Sequence, residues 1–478
     1  MRSVATSELR RAHPSEVEIN ADAVSALLDD LDKTGSERQT LLIYRAGALA
    51  VEDYRWPYGA ERIRMMHSVT KSFTSAAVGL ALAEGRFRLQ DQVVNFFPEH
   101  LPAVVSPRLG AMTVEDLLMM RTGQAIETSG SRWRGLKTSW IAEFFRIPLE
   151  HDPGTFFLYT SAASFMLGAI VTRTTGVGLD QYLRQRMFAP LGFENEMWDK
   201  GPEGINPGGN GLSCRVLDML KFGVLHLDGG VWNGQRVLPE AWVREAVRRR
   251  EGVYGYHWWT GPNGEFSAQG LFGQMIVVLP RYGAVVATTG ALQSNDACLE
   301  YLLPILRRHA ASIFSKGSRS ADEWLASRLE RETNPAPVAS EAQSGSEIAS
   351  QMRFRAEPNE LGVEAFELEF SPNRCVLRIT DLRGVHAVAM GLNEWIEGET
   401  SMSGAQLHHG YEWKCAPVVA SAHWLDPQTL EMVWIFAESS FRDTVVCRFE
   451  KDRAHLERRV NVNSGGRESP QIIGYRAY

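Results

Sequence analysis

What most restricts the fold of this chain is a change in the spacing of its apolar residues, made twice before residue 310. The β-type runs "TLLIYRAG" and "ALAVEDYRW" meet at Gly47 as a hairpin would, behind an expected helix at Ala21–Leu31. After Ser68 the spacing turns helical through "TVEDLLMM", "SAASFMLGAIVTRTTG", "GLDQYLRQRMFAPLG", "SCRVLDMLKFGVLHL" and "LPEAWVREAVRRR". Thr113 with Asp116 reads as a capping box, and Gly176 as a helix C-cap. From Tyr254 short β-rich runs return, "YGYHWW", "EFSAQG", "QMIVVLP" and "GAVVATTG", followed by a helix over Glu300–His309. Strands, helices and strands again predict an α+β domain: one antiparallel sheet built from both ends of a segment, with a helical lobe inserted.

Residues 333–350, "TNPAPVASEAQSGSEIAS", carry almost no large apolar side chains and read as a linker. Beyond them, "EAFELEF", "RCVLRIT", "VHAVAMGL", "APVVASAHW", "TLEMVWIFAES", "DTVVCRFE" and "AHLERRVNV" predict an antiparallel meander closed into a barrel, because closure removes exposed edges. We therefore expect a first domain over 1–310, a helix and linker over 311–350, and a barrel over 351–478. Trp395, Trp413, Trp424 and Trp434 are expected in the barrel core.

The 50 basic and 57 acidic residues leave a net charge of −7, which gives no field to gather nucleic acid or anionic lipid. The N-terminal stretch lacks a secretory apolar core and no apolar run is long enough to span a membrane, so a cytoplasmic location is expected. Five scattered cysteines, at 214, 298, 375, 415 and 447, read as reduced and mostly buried thiols, without metal spacing. No metal or other cofactor is expected.

The chemistry concentrates at "HSVTKSFTS", where Ser68 and Lys71 stand three apart at the start of a helix and so share a face. A desolvated Lys71 would lose its proton and could take that of Ser68, making the hydroxyl a nucleophile. Serine is also a favoured N-cap, and a Ser-x-x-Lys tetrad arises by chance in chains of this length, so context decides. Three stretches supply it. "HSVTKSFTSAAVGLALAEGRFRLQDQV", "PGTFFLYTSAASFMLGAIVTRTTG" with its Tyr159-Thr160-Ser161, and "FSAQGLFGQMIVVLP" come in the order and local structure of three known motifs. Together they resemble the serine β-lactamase and penicillin-binding-protein superfamily, in its class C β-lactamase-related esterase and 6-aminohexanoate-dimer hydrolase branch.

That resemblance implies a β-lactamase/transpeptidase-like fold and a set of roles. Ser68 would attack the carbonyl, with Lys71 and Tyr159 accepting and returning its proton; Tyr159 would also help to activate the deacylating water. The backbone N–H groups of Ser68 and Leu271 would form the oxyanion hole. Ser161 would hold the substrate or the lysine, or only cap its helix. Gln269 and Gly270 would contribute to substrate binding; Phe272 departs from the family, standing where a glycine is usual, and its ring is expected to narrow the mouth of the site. The barrel resembles the lipocalin-like domains appended to several members.

The family's Lys-Thr-Gly is replaced by Ala268-Gln269-Gly270, which removes a charge-assisted contact to a substrate carboxylate of about 1.5–3 kcal/mol. Efficient β-lactamase activity is therefore not expected. If "YGYHWW" is a strand, Tyr254, Tyr256 and Trp258 share one face, which would line an apolar pocket or pack between sheet and helices. His257 has no evident partner. The expected activity is hydrolysis of a small ester or amide through a Ser68 acyl-enzyme. The alternatives are acyl transfer, including peptide cyclisation, and a ligand sensor that stays acylated. Partners beyond the small-molecule substrate are not expected, and the oligomeric state is open.

Overall fold

The computed structural model describes residues 8–35, 37–127, 131–250, 252–293, 302–331, 350–402, 404 and 406–477. Residues 333–349 of the expected linker, Cys298 and the first residues of the expected Glu300–His309 helix lie outside them. The chain divides into two compact units: residues 1–54, 60–290 and 295–331, and residues 55–59, 291–294 and 332–478.

The first unit is built on a seven-stranded sheet among the described residues. Its order across the sheet is Arg10–Arg11, Ala48–Tyr54, Glu37–Arg45, Ala284–Ala291, Gln274–Leu279, Phe266–Gly270 and Trp259–Thr260. The two ends of the segment thus meet at its centre, where Thr40 Oγ1 and Thr289 Oγ1 share a buried hydrogen bond of 2.7 Å. The hairpin turns through Ala46 and Gly47, at φ 48° and 82°, the mirror-image turn that suits twisted strands. Strand alternation sends Leu41, Ile43, Val277 and Val286 to one face and Leu42, Ile276, Val278 and Val285 to the other. Both faces are covered, which is why these strands read as unbroken apolar runs.

On the first face lie the helices Ala21–Asp32, Leu303–Ile313 and Arg319–Arg331. The last falls where a helix and linker were expected, yet it is part of this unit: Leu325 is buried, and Arg328 donates to Ser25 O at 3.0 Å and pairs with Asp29 at 2.8 Å. On the second face sits the helical lobe, centred on Thr70–Ala83, which is buried almost all round. Such a helix must satisfy its polar side chains internally. Ser72, Thr74 and Ser75 donate to the carbonyls of His257, Gly208 and Tyr256 at 2.7, 2.7 and 2.8 Å. Small residues let neighbours approach: a Cβ on Gly79 would lie 2.3 Å from the Trp242 ring. The Thr113–Asp116 capping box and the Gly176 C-cap, at φ 78°, both form.

One strand expectation is corrected. "YGYHWW" is an irregular turn, with His257 at φ 61°, and only Trp259–Thr260 joins the sheet. Its alternating pattern comes from burial among helices, not from a pleat.

Among the described residues, the second unit is a closed barrel of nine strands with a tenth, Ile396–Thr400, on the Ala416–Asp426 strand. Neighbours are antiparallel; closure comes from a short parallel pairing of Gly391–Leu392 with Ser421–Ala422. The first strand, Gln351–Ala356, pairs with the last, Ile472–Ala477, and neither was among the expected runs. Trp434 and Trp424 are buried, whereas Trp395 and Trp413 are half-buried. Beside Trp434 the buried Asp443 carboxylate meets His408 at 2.7 Å and Arg458; against the effect of burial, their charges hold it below the usual range. Cys214, Cys375 and Cys447 are buried thiols and Cys415 is exposed.

Candidate active site

The Arg64–Met65 strand leads into a tight turn, His67–Val69, and then directly into the Thr70–Ala83 helix. His67 takes φ 46°, so the chain reverses sharply and presents Ser68 half-exposed at the helix entrance. Ser68 does not cap this helix. The cap position is Val69, which makes no side-chain cap bond, and the Ser68 hydroxyl instead meets Lys71 Nζ at 3.0 Å. Lys71 is 1% exposed and donates also to Ser161 Oγ at 2.8 Å and Gly209 O at 2.9 Å. Burial lowers its pKa to about 7, with the Glu127 charge opposing. Ser161 is the first residue of its helix, but Thr160 is the cap, accepting from Ala162 N, which leaves the Ser161 hydroxyl to Lys71.

Tyr159 completes the cluster: Lys71 Nζ lies 4.8 Å from the centre of its ring. That ring is stacked on Trp259 at 5.6 Å and held edge-on by Tyr254 at 5.9 Å. The Phe266–Gly270 strand ends against the same turn. A Cβ on Gly270 would stand 2.4 Å from Met66 O, so glycine alone permits this approach, and Leu271 is the next residue in the chain. Ser68, Lys71, Tyr159, Ser161 and Gly270, taken from three distant segments, are therefore brought together.

Two other expectations are not met by the geometry. Phe272, at φ 62°, is 1% exposed, and its ring packs edge-on against His67 at 5.5 Å, so it supports the Ser68 turn from within and does not narrow a mouth. Trp258 is fully buried between Phe222, His226 and Phe266, with no face left for a substrate. Gln269 is half-buried and donates to Ser267 Oγ at 2.8 Å.

Residues 36–300, more than half of the chain, match the family described as Beta-lactamase. The chain belongs to the beta-lactamase family. The 6-aminohexanoate-dimer hydrolase of Paenarthrobacter ureafaciens is 27% identical over 326 residues, 62% of this chain and 83% of that protein. A solved structure from Bacillus anthracis, provisionally described as a 6-aminohexanoate-dimer hydrolase, aligns with TM-score 0.53 and 18% identity over 64% of this chain and 87% of that one. EstCE1, described as a hydrolase with promiscuous acyltransferase activity, aligns with TM-score 0.50 and 17% identity over 62% and 98%. At these identities the two structures are alike in fold.

Within this beta-lactamase-family chain, sequence reasoning missed the loop that holds Lys71 from the far side. A Cβ on Gly208 would lie 2.1 Å from Ser164 O, and one on Gly209 2.8 Å from Ser161 Cβ, so the loop can press its carbonyls onto both helices. The signal was present in "INPGGNGL", whose paired glycines mark close backbone approach. His257, expected to lack a partner, has two: Nδ1 lies 3.0 Å from Leu118 O and Nε2 2.9 Å from Ser164 Oγ. A carbonyl only accepts, so Nδ1 carries the proton and Nε2 accepts from Ser164. Burial, aided by the Lys71 charge, lowers the imidazole pKa to about 3 and keeps it neutral. Trp133, Trp140 and Phe165 line a small pocket of about 20 Å³ beside Ser161 and Gly209, with room for about one water molecule. Among the described residues, no single helix is long and apolar enough to cross a membrane.

Proposed function

We propose that the chain is a serine hydrolase that cleaves a small ester or amide through an acyl-enzyme on Ser68. The observation that carries this reading is Lys71: wholly buried, with a pKa near 7, and 3.0 Å from a half-exposed serine hydroxyl. An ammonium would donate to all three of its neighbours. The neutral amine has two N–H groups, which Gly209 O and Ser161 Oγ accept, and its lone pair then faces the Ser68 hydroxyl. In that state Ser68 gives its proton to Lys71 as its oxygen attacks the carbonyl carbon.

The oxygen that becomes negative would sit against the backbone N–H groups of Ser68 and Leu271. Lys71, with Tyr159 over it, returns the proton to the leaving group. Water then attacks the acyl-enzyme by the same route reversed, releasing acid and free Ser68. The family relation and the hydrolase named among its relatives support this class of reaction. Ala268-Gln269-Gly270 has no cationic side chain to bind a β-lactam carboxylate, which directs the reading to esters and amides.

The test is labelling by a fluorophosphonate with intact-mass analysis, alongside p-nitrophenyl ester turnover, on wild type and Ser68→Ala. Wild type should gain one probe per chain and turn over repeatedly; the variant should do neither. A folded wild type that is neither labelled nor active sinks the reading. A burst of one equivalent without turnover would mark a sensor, and diversion of product to an added amine would mark a transferase.

A further inference from the structure

Lys71 and Ser161 each stand in the first turn of a helix, Thr70–Ala83 and Ser161–Thr175, so the 2.8 Å between Lys71 Nζ and Ser161 Oγ depends on how those helices are spaced. One turn further along each, at Thr74 and Ser164, comes a second polar layer. Thr74 donates to Gly208 O at 2.7 Å, next in the chain to the Gly209 carbonyl that Lys71 uses, and Gly208 itself backs onto Ser164 O. Thr74 and Ser164 are fully buried, so each hydroxyl needs a partner within the protein. For Ser164 that partner is His257, whose Nε2 accepts at 2.9 Å.

His257 is tied to the other helix as well. Ser72, the neighbour of Lys71, donates to its carbonyl at 2.7 Å. A third bond, from Nδ1–H to Leu118 O at 3.0 Å, fixes the tautomer that leaves Nε2 an acceptor. With its backbone in the left-handed region, at φ 61°, this one residue reaches both helices, one by its carbonyl and the other by its ring.

We propose that His257 is a positioning residue of the hydrolase, which through Ser72 and Ser164 sets the spacing of the two helices that present Lys71 to Ser161 and Ser68. The inference rests on the Ser68 hydrolase reading and extends it. Because burial keeps the imidazole neutral, the tie is one of position and not of charge. Released from His257, the Ser164 hydroxyl would turn to the Thr160 carbonyl four residues before it, as helical serines do, and the layer beneath Lys71 would loosen. Water reaching Lys71 would relieve the burial that lowers its pKa and return the amine towards its ordinary value.

The experiment measures kcat and KM on a p-nitrophenyl ester over pH 5–9 for wild type, Ser164→Ala, His257→Asn and His257→Gln, with thermal unfolding alongside. Asparagine tolerates the left-handed backbone and keeps a donor for Leu118 O but has no acceptor that reaches Ser164; glutamine has one. Ser164→Ala cuts the same tie without touching the turn. Wild-type kcat/KM should rise with a midpoint near 7. Ser164→Ala and His257→Asn should move that midpoint up by about one pH unit and lower the plateau kcat about ten- to a hundredfold, with KM within about twofold; His257→Gln should recover most of both. A folded Ser164→Ala enzyme that keeps the midpoint and the kcat of wild type, whatever its melting temperature, overturns the assignment and leaves the hydrolase reading standing, as does a His257→Gln enzyme that recovers nothing. A wild type that neither turns over nor takes a fluorophosphonate overturns both.

Discussion

Lys71 sits where stability and function pull in opposite directions. Its pKa falls from 10.5 to about 7 because the native state buries it, so protonating it costs the fold free energy. Between those values the unfolded chain holds a proton that the native chain has released, and stability rises with pH across that window. Below about pH 7 the cost is carried in full. Lys71→Met should therefore raise the midpoint of thermal unfolding, most at pH 6 and least towards pH 10. The gain should be on the order of a kcal/mol or two once its lost hydrogen bonds are counted. The same variant should lose about 10²- to 10⁴-fold in kcat, the range for removing a general base. In wild type, kcat/KM on a neutral ester should rise with pH through about 7 and then level. A flat profile over pH 5–9, or a destabilised Met variant, would mean that Lys71 is not the neutral base. Sequence could place Ser68 and Lys71 on one helix face, since that depends only on spacing. It could not show that Ser68 is no cap, because the choice of partner was made by a lysine whose other acceptors, Ser161 and Gly209, lie far along the chain.

Among the elements, the Thr70–Ala83 helix acts as a post to which the site loops are tied. Ser75 donates to Tyr256 O and Ser72 to His257 O, fixing the turn from which Tyr254 and Trp259 hold the Tyr159 ring. Ser75→Ala would leave a buried carbonyl without that donor and should cost about 1–3 kcal/mol in denaturant unfolding. A cost near zero would show that the turn is held by packing alone. Gly270 is the second tie. Gly270→Ala places a methyl against the Met66 carbonyl, so the strand end must shift, and kcat should fall about 10²-fold, comparable to losing one oxyanion donor. The hairpin at Gly47, the Thr113 capping box and the Gly176 C-cap were legible because each is decided by residues within a few positions. "YGYHWW" was misread for the complementary reason. Aromatic alternation looks the same whether a chain is pleated or wedged between helices, and His257 at φ 61° is set by Leu118 and Ser164, which local pattern does not contain.

For the molecule as a whole, the defining contacts join residues far apart. The Glu37–Arg45 strand lies beside Ala284–Ala291, and the first barrel strand beside the last. In the barrel the packing centres on Trp434, fully buried, so Trp434→Ala should destabilise that unit by about 3–5 kcal/mol. Hydrogen-exchange protection should then fall across residues 351–477; protection unchanged there would place the barrel core elsewhere. The sheet built from both ends and the closed barrel could be anticipated, because the period of apolar residues dictates which face each element must bury. The strands Gln351–Ala356, Ile396–Thr400 and Ile472–Ala477 could not, since short partly exposed strands carry little of that signal. By itself, then, the sequence determined the element types, the order of the three motifs and the pairing of Ser68 with Lys71, all consequences of short-range geometry. Only the tertiary structure decided that Lys71 is buried away from water, that Phe272 and Trp258 face the core, and that Trp133, Trp140 and Phe165 line a small pocket beside Ser161. Desolvation and enclosure are properties of what surrounds a residue, and here the surroundings come from distant segments, such as Gly209, 138 positions from Lys71.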